Sequence, residues 1–353
     1  MIATTRLDAF WRWLDRVDPG VHRRVKGLRL VTAYGIAALM GALYDISRGL
    51  PDGASLSSMA GGFALFASVS EGRSTRAEST RDLAALAAAA AAGAAFTACL
   101  TPLLMTSGRA VPELTLVLGA FLVGYGRRFG LLGTGMGSQF FIGQLLGYNA
   151  GLTSADLPVI VAAGLIAAVA AIVPRVLSGP AERPVAAPPP PVVPDVWRMS
   201  PEFVMGLQAA ISATLIVALN AAFSLEESAW AMAACTYVVT STASGTIARI
   251  RLRVIGTAIG LPLGLACLPI ALHFPILIWA AAALAMIVYA MALPERYDIA
   301  CGAYTFTLIV TLAASGEHSL SLLVARFWET LVGGALGLAA ATLVFPLREN
   351  RPS

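Results

Sequence analysis

Residues 226–264 read EESAWAMAACTYVVTSTASGTIARIRLRVIGTAIGLPLG. The stretch opens on Trp230 and sets Thr236, Thr240, Ser241, Thr242, Ser244 and Thr246 into an otherwise apolar segment. A basic turn follows, Arg249, Arg251 and Arg253, and then a second apolar segment with Gly256, Gly260 and Gly264 at helical spacing. Polar groups at membrane depth face protein or a water-filled cavity. Glycines four apart let another helix come close. The stretch therefore predicts two membrane-crossing helices that combine a wet face, an arginine cluster and a tight packing surface, with the rest of the chain as their frame.

Composition agrees. Of 353 residues, 58% are hydrophobic and only 12% charged, about half the charge of a soluble domain. Apolar segments of roughly 18–23 residues recur, the length that spans a bilayer. Residues 1–26 are charged and aromatic, with no continuous apolar core, so they do not read as a cleaved signal. Phe10, Trp11, Trp13 and Leu14 suit either a short helix lying on the membrane or a solvated arm. Cys99, Cys235, Cys267 and Cys301 all fall in apolar segments without ligand spacing and read as small packing residues, with no metal expected. The sequence pI near 9.0 comes from charges in short loops beside the spans. That is membrane topology and predicts no nucleic-acid partner.

The expected fold class is an all-α integral membrane protein with about twelve transmembrane helices in two parallel six-helix repeats. The first repeat, 28–177, holds spans at about 28–47, 55–71, 82–104, 111–126, 129–148 and 157–177. The second, 203–346, holds spans at about 203–223, 229–248, 253–273, 275–293, 299–315 and 322–345. A basic arm, 1–27, precedes them, a Pro-rich linker, 178–202, joins them, and a short tail, 347–353, follows. With both termini in the cytoplasm, every Lys and Arg except Arg48, Arg109 and Arg326 falls on the inner side, as the positive-inside rule requires. The halves echo each other. Arg81 opens the third span and Arg253 the ninth, and Ala84, Ala88 and Ala92 stand where the second half has its three glycines. The sixth span ends Val173-Pro174-Arg175 and the twelfth Phe345-Pro346-Leu347-Arg348.

Pairs of short or Gly-interrupted segments at matching positions in two halves point to a transport site. The second span, SLSSMAGGFALFASVSE with Ser58, and the eighth, with Trp230, Thr236 and Thr240, form such a pair; hydroxyls bonding their own helix would look the same. Arg253, and Arg249 one turn before it, suit a carboxylate because the guanidinium fork makes paired hydrogen bonds; topology alone also accounts for them. Glu329 is read as the one acid well inside a span, with Arg326 a turn earlier. They form either a structural pair or a proton-coupling carboxylate with its neighbour. Gln139, Gln144, Gln208 and Asn220 either line a path or tie helices together. No G-x-x-x-x-G-K-[ST], H-E-x-x-H or G-x-S-x-G occurs, so ATP drive, hydrolase chemistry and cofactors are not expected.

Several of these residues form a pattern that resembles the fusaric acid resistance family, which includes the aromatic acid exporters. The carriers of the resemblance are Trp230 opening a second span; Arg249 and Arg253 leading into Gly256-Thr257 and Gly260; and Arg326, Gly333, Gly337 and Pro346 in the last span. The match is concentrated in 203–348. In 28–177 Ser58 and Met59 replace the Trp, and alanines replace the glycines. Many relatives carry a soluble cytoplasmic domain after six spans, where this chain has its Pro-rich linker. The resemblance implies efflux of small organic anions such as aromatic carboxylates across a bacterial inner membrane, by two six-span units packed about an axis. The expected partners are a small organic anion and the lipid bilayer, with a homodimer of the whole chain left open. A passive anion channel and a non-transporting membrane scaffold are the alternatives.

Overall fold

The computed structural model describes residues 18, 21–48, 56–73, 75–178, 199–225, 228–240, 243–293, 295–314 and 320–344. The expected surface helix around Trp11, the Pro-rich linker, Ser241, Thr242, the side chain of Arg326 and the tail lie outside them.

The described residues are helical, with no strand among them. The α-helices are α1 (His22–Arg48), α2 (Leu56–Ser70), α3 (Arg76–Leu104), α4 (Thr115–Tyr125), α5 (Gly130–Asn149), α6 (Leu157–Leu177), α7 (Pro201–Phe223), α8 (Ser228–Val238), α9 (Ala243–Ala266), α10 (Leu268–His273), α11 (Pro275–Ala292), α12 (Tyr297–Ala314) and α13 (Leu320–Leu343). Short polar residues start several of them by satisfying first-turn N–H groups. Thr75 accepts from the Glu78 N–H ahead of the alanine run of α3, and Ser200 from Phe203 ahead of α7. Asp18 accepts from the N–H groups of Arg23 and Arg24 and from the Arg24 guanidinium at the start of α1. Burial alone would raise the Asp18 carboxyl, but those donors outweigh it and hold it below the usual carboxylate range.

Six helical stretches are long and apolar enough to cross a membrane, and four shorter apolar helices accompany them. One stretch, Val111–Asn149, is a hairpin rather than a single rod. It turns at Gly126–Phe129, with Gly130 at φ +71, and brings Gly137 against the Leu122 carbonyl. The eighth expected span, about 229–248, is not continuous. Helix α8 ends at Val238, and α9 has already begun at Ala243.

The two halves use the same pairings. In the first, α1 packs on α2 and α6, α3 on α5 and α6, α4 on α5, and α2 on α6. In the second, α7 packs on α8 and α13, α9 on α12 and α13, α11 on α12, and α8 on α13. The principal contacts between halves are reciprocal too: α4 lies on α7, and α11 on α1. In the first contact Gly124 touches the backbone of Gly206; in the second Gly27 touches that of Ile287. Gly206-Leu207-Gln208 and Gly27-Leu28-Arg29 occupy like places near the starts of α7 and α1.

Large apolar side chains face outward, as Leu39, Leu43 and Ile46 do on α1 and Ile276, Leu277 and Leu284 on α11. The first-half interior is built largely of small residues, such as Ala37, Ala64, Ala90, Ala94 and Ala167. Lipid is as apolar as leucine, so close contact of small residues holds membrane helices together. Gly93 meets the Phe140 carbonyl and Gly143 the Ala90 carbonyl where α3 crosses α5. Gly256, Gly260 and Gly264 do the same for α9 on α12, against Asp298, Gly302 and Ile309. The expected stripe Ala84, Ala88 and Ala92 is corrected: all three are exposed, and α3 packs through Ala87, Ala90, Gly93 and Ala94. A helix that is nearly all alanine carries no size contrast from which to read its inner face.

Candidate functional site

The break after Val238 sets the site. The basic turn expected from the sequence is helix, because α9 starts ten residues before Arg253. Arg249 and Arg253 are four apart in it and share a face, while Arg251 points outward and is exposed. Both inward arginines meet one residue, Tyr297, at the start of α12. The Arg249 guanidinium lies 4.7 Å from the centre of its ring, a cation–π distance. Arg253 Nη1 reaches its hydroxyl at 3.5 Å, the long limit of a hydrogen bond. Among the described residues, the Nε–H groups of Arg249 and Arg253 are buried without an acceptor.

A third cation faces them. Arg127, from the turn between α4 and α5, lies close enough to feel the charge of Arg249, and its Nη1 meets the Met205 sulfur at 3.9 Å. Among the described residues, no carboxylate lies within ion-pair distance of Arg127, Arg249 or Arg253. Like charges brought together in a partly buried place, with no counter-charge among the described residues, repel one another and lose solvation. An anion placed among them relieves both costs.

Beyond the arginines the seam between the halves is lined with aromatic and hydroxyl groups. The Tyr237 hydroxyl on α8 lies 2.8 Å from the Ser138 hydroxyl on α5, and its ring sits by Phe141. Tyr304 on α12 packs between Tyr289 on α11 and Phe66 on α2. Tyr237 and Arg253 lie deep in the chain, yet each of these residues except Phe141 keeps part of its surface open. The seam thus has rings along its faces and guanidiniums near one end.

The first half is different at the equivalent place. Arg81, the counterpart of Arg253, pairs with Asp82 at 3.2 Å, and Arg73 pairs with the same carboxylate at 2.6 Å. Buried Arg175 donates to Ser79 at 2.7 Å and to the Arg73 carbonyl, with Glu71 at 3.9 Å. Each arginine there has its acid, so the cluster braces α2, α3 and α6. In the second half Val254 stands where Asp82 follows Arg81.

The remaining candidates divide. Trp230, half-buried, packs into the core beneath α7 and α8. Thr236 is buried in α8. Thr240 sits at the break, its N–H and hydroxyl both 3.1 Å from the Thr246 hydroxyl, which ties the end of α8 to the start of α9. Ser58 is exposed on α2. Gln144 donates to the Thr115 carbonyl at 2.6 Å and Gln208 to the Val344 carbonyl at 2.8 Å, so each ties two helices together. Glu329 is fully buried on the face of α13 whose Gly333 and Gly337 touch α8. It is not the only buried acid: Glu113, 2% exposed, holds a cluster at the far end of the seam. Sequence reasoning missed Glu113, Arg127 and the four tyrosines. One signal was there, since Tyr297 and Tyr304 are seven apart and so share a helix face. Among the described residues, no group of three or more His, Cys, Asp or Glu gathers as a metal site.

Packed apolar helices, outward-facing aliphatic side chains and an internal polar seam define a multi-pass membrane protein. Residues 212–340 match the sequence model of the fusaric acid resistance protein-like family. The match supports the family resemblance and falls on the half that carries its motifs. No curated protein and no solved structure matches the chain.

Proposed function

We propose that this protein is a secondary carrier that exports small carboxylic acids, aromatic ones in particular, across a bacterial inner membrane in exchange for protons. The observation that carries this reading is the arginine cluster: Arg127, Arg249 and Arg253 meet at a tyrosine-lined seam without a carboxylate among the described residues. Arg253 and Arg249 take the carboxylate, and Tyr297, Tyr304 and Tyr237 offer ring faces to the aromatic body. The shared pairings of the halves, and the reciprocal contacts of α4 on α7 and α11 on α1, support twelve spans in two parallel six-helix repeats. Rocking of one repeat against the other then exposes the seam alternately, with both termini cytoplasmic.

The test is flux of a labelled aromatic carboxylate in proteoliposomes, with and without an imposed proton gradient. Accumulation against its own gradient, driven by protons, is the expected result. Flux that only follows the anion's own gradient would make the protein a channel. No flux over a broad set of carboxylates would overturn the organic-acid reading.

A further inference from the structure

Glu113 occupies the end of the seam away from the arginines. It comes from the short 3-10 turn Val111–Leu114 ahead of α4. Its Oε1 accepts three hydrogen bonds: from Asn220 Nδ2 at 2.6 Å, the Ser228 hydroxyl at 2.5 Å and the Tyr148 hydroxyl at 3.1 Å. Its Oε2 is buried with no partner among the described residues. The donors come from opposite sides. Tyr148, on α5, belongs to the same half as Glu113, whereas Asn220 on α7 and Ser228 on α8 belong to the other. The bonds to Asn220 and Ser228 therefore cross the seam, next to the α4–α7 contact through which the halves meet.

We propose that Glu113 is the proton-binding carboxylate of the carrier and that its ionised form latches the outer end of the seam shut. The proposal rests on the carrier reading above and on the topology that goes with it. In that topology the end of α3, the start of α4 and the end of α7 face outward, opposite the arginines.

The chemistry follows from the donors. A buried carboxylate is tolerable only while it is well hydrogen-bonded. Here one oxygen has three donors and the other none, so the anion depends on keeping Asn220 and Ser228 in place. Separating the halves strips two of the three donors and leaves a bare buried charge. Adding a proton from outer water forms one O–H bond on the carboxylate and removes that charge. The carboxyl can then donate to a Ser228 or Tyr148 hydroxyl, each of which accepts as well as donates. The halves are then free to part at that end and release the anion outward. Arg109 on the same loop and Tyr148 are the charged and titratable groups around Glu113; α3, α4, α7 and α8 bring no charged side chain to it among the described residues. Glu329 lies where α13 meets α8, inside the second half. It moves with that half as a body, so rocking does not change its surroundings in this way.

The test reads the seam without needing a substrate. In a chain whose native cysteines are replaced by alanine, Ala229→Cys, buried beside Ser228, reports access to a membrane-impermeant maleimide. At about pH 8 the Glu113→Gln protein is expected to label about tenfold faster than the protein with Glu113, and at about pH 5 the two converge. Comparing the two at one pH cancels the thiol's own titration. Glu113→Asp, which keeps the carboxylate, retains the pH dependence. Ser228→Ala removes one cross-seam donor, and the labelling transition moves to higher pH. Equal labelling of the chain with Glu113 and the Glu113→Gln chain at both pH values would overturn the latch, as would an unmoved transition in Ser228→Ala. Absent carboxylate flux beside a normal labelling contrast would instead sink the carrier reading alone.

Discussion

Arg253→Ala is expected to abolish carboxylate flux while leaving the protein folded. The residue contributes no ion pair within the described structure, and its nearest polar partner is the Tyr297 hydroxyl at 3.5 Å. Its loss costs the fold little and the bound anion a great deal. Removing one member of a buried charge pair typically costs about 2–5 kcal/mol, which is roughly a thirty- to several-thousand-fold loss of affinity. Arg253→Lys restores only part of it, because a point charge cannot make the paired bonds of a guanidinium. Arg251→Ala, on the exposed face of the same helix, leaves flux unchanged. Initial rates across a concentration series in proteoliposomes separate these cases. Wild-type flux from Arg253→Ala would remove the anion site from this helix.

Gly143→Ala tests the frame. A Cβ at this position would lie 1.9 Å from the Ala90 carbonyl oxygen, with the Ala90 carbonyl carbon at 2.7 Å. Both atoms are backbone, so no side chain can turn aside and α3 and α5 have to separate. Overpacking of this kind costs about 1–3 kcal/mol, and more where backbone resists. The contact joins the two most intimately packed helices of the first half, so the loss is expected to appear as a lower melting temperature and aggregation in detergent. Gly35→Ala is the control. Nothing lies within 4 Å of a Cβ there, and a helix gains slightly from exchanging Gly for Ala. Fluorescence-detected size exclusion after heating compares the two. Equal stability would mean that α3 and α5 do not meet as described.

What was legible in the sequence was whatever long apolar runs and charge placement encode. Outside the eighth and ninth expected spans, helix positions came out closely, because span length and the arginines at span ends are strong, local signals. The glycines at 256, 260 and 264 also read correctly, since each is small among large neighbours and each touches α12. The alanines of α3 could not be read that way. The sequence leaves the helical state of Arg249 ambiguous, because charge looks like a loop in a hydropathy reading; the helix runs through it from Ala243, which sets Arg249 and Arg253 on one face. The seam was hidden for a different reason. Tyr237, Tyr289 and Tyr304 are ordinary interfacial residues until the halves are placed face to face. The donors to Glu113 lie 35, 107 and 115 residues away, a separation no local pattern records.

The asymmetry of the halves bears on mechanism. Asp82 and Glu71 offset Arg73, Arg81 and Arg175 in the first half, whereas Arg249 and Arg253 of the second half, with Arg127 of the first, stand at the seam without an acid among the described residues. Two of the three seam arginines come from the half on which the family match at 212–340 falls.

The most direct test of the anion site is equilibrium binding of a labelled aromatic carboxylate to the purified wild-type protein and to the Arg249→Gln/Arg253→Gln double variant, side by side. Saturable binding to the wild type, displaced by other aromatic carboxylates, is predicted, with none to a double variant that elutes and melts as the wild type does. Undiminished binding to that variant, or no binding to the wild type, would contradict an arginine-held carboxylate at the seam.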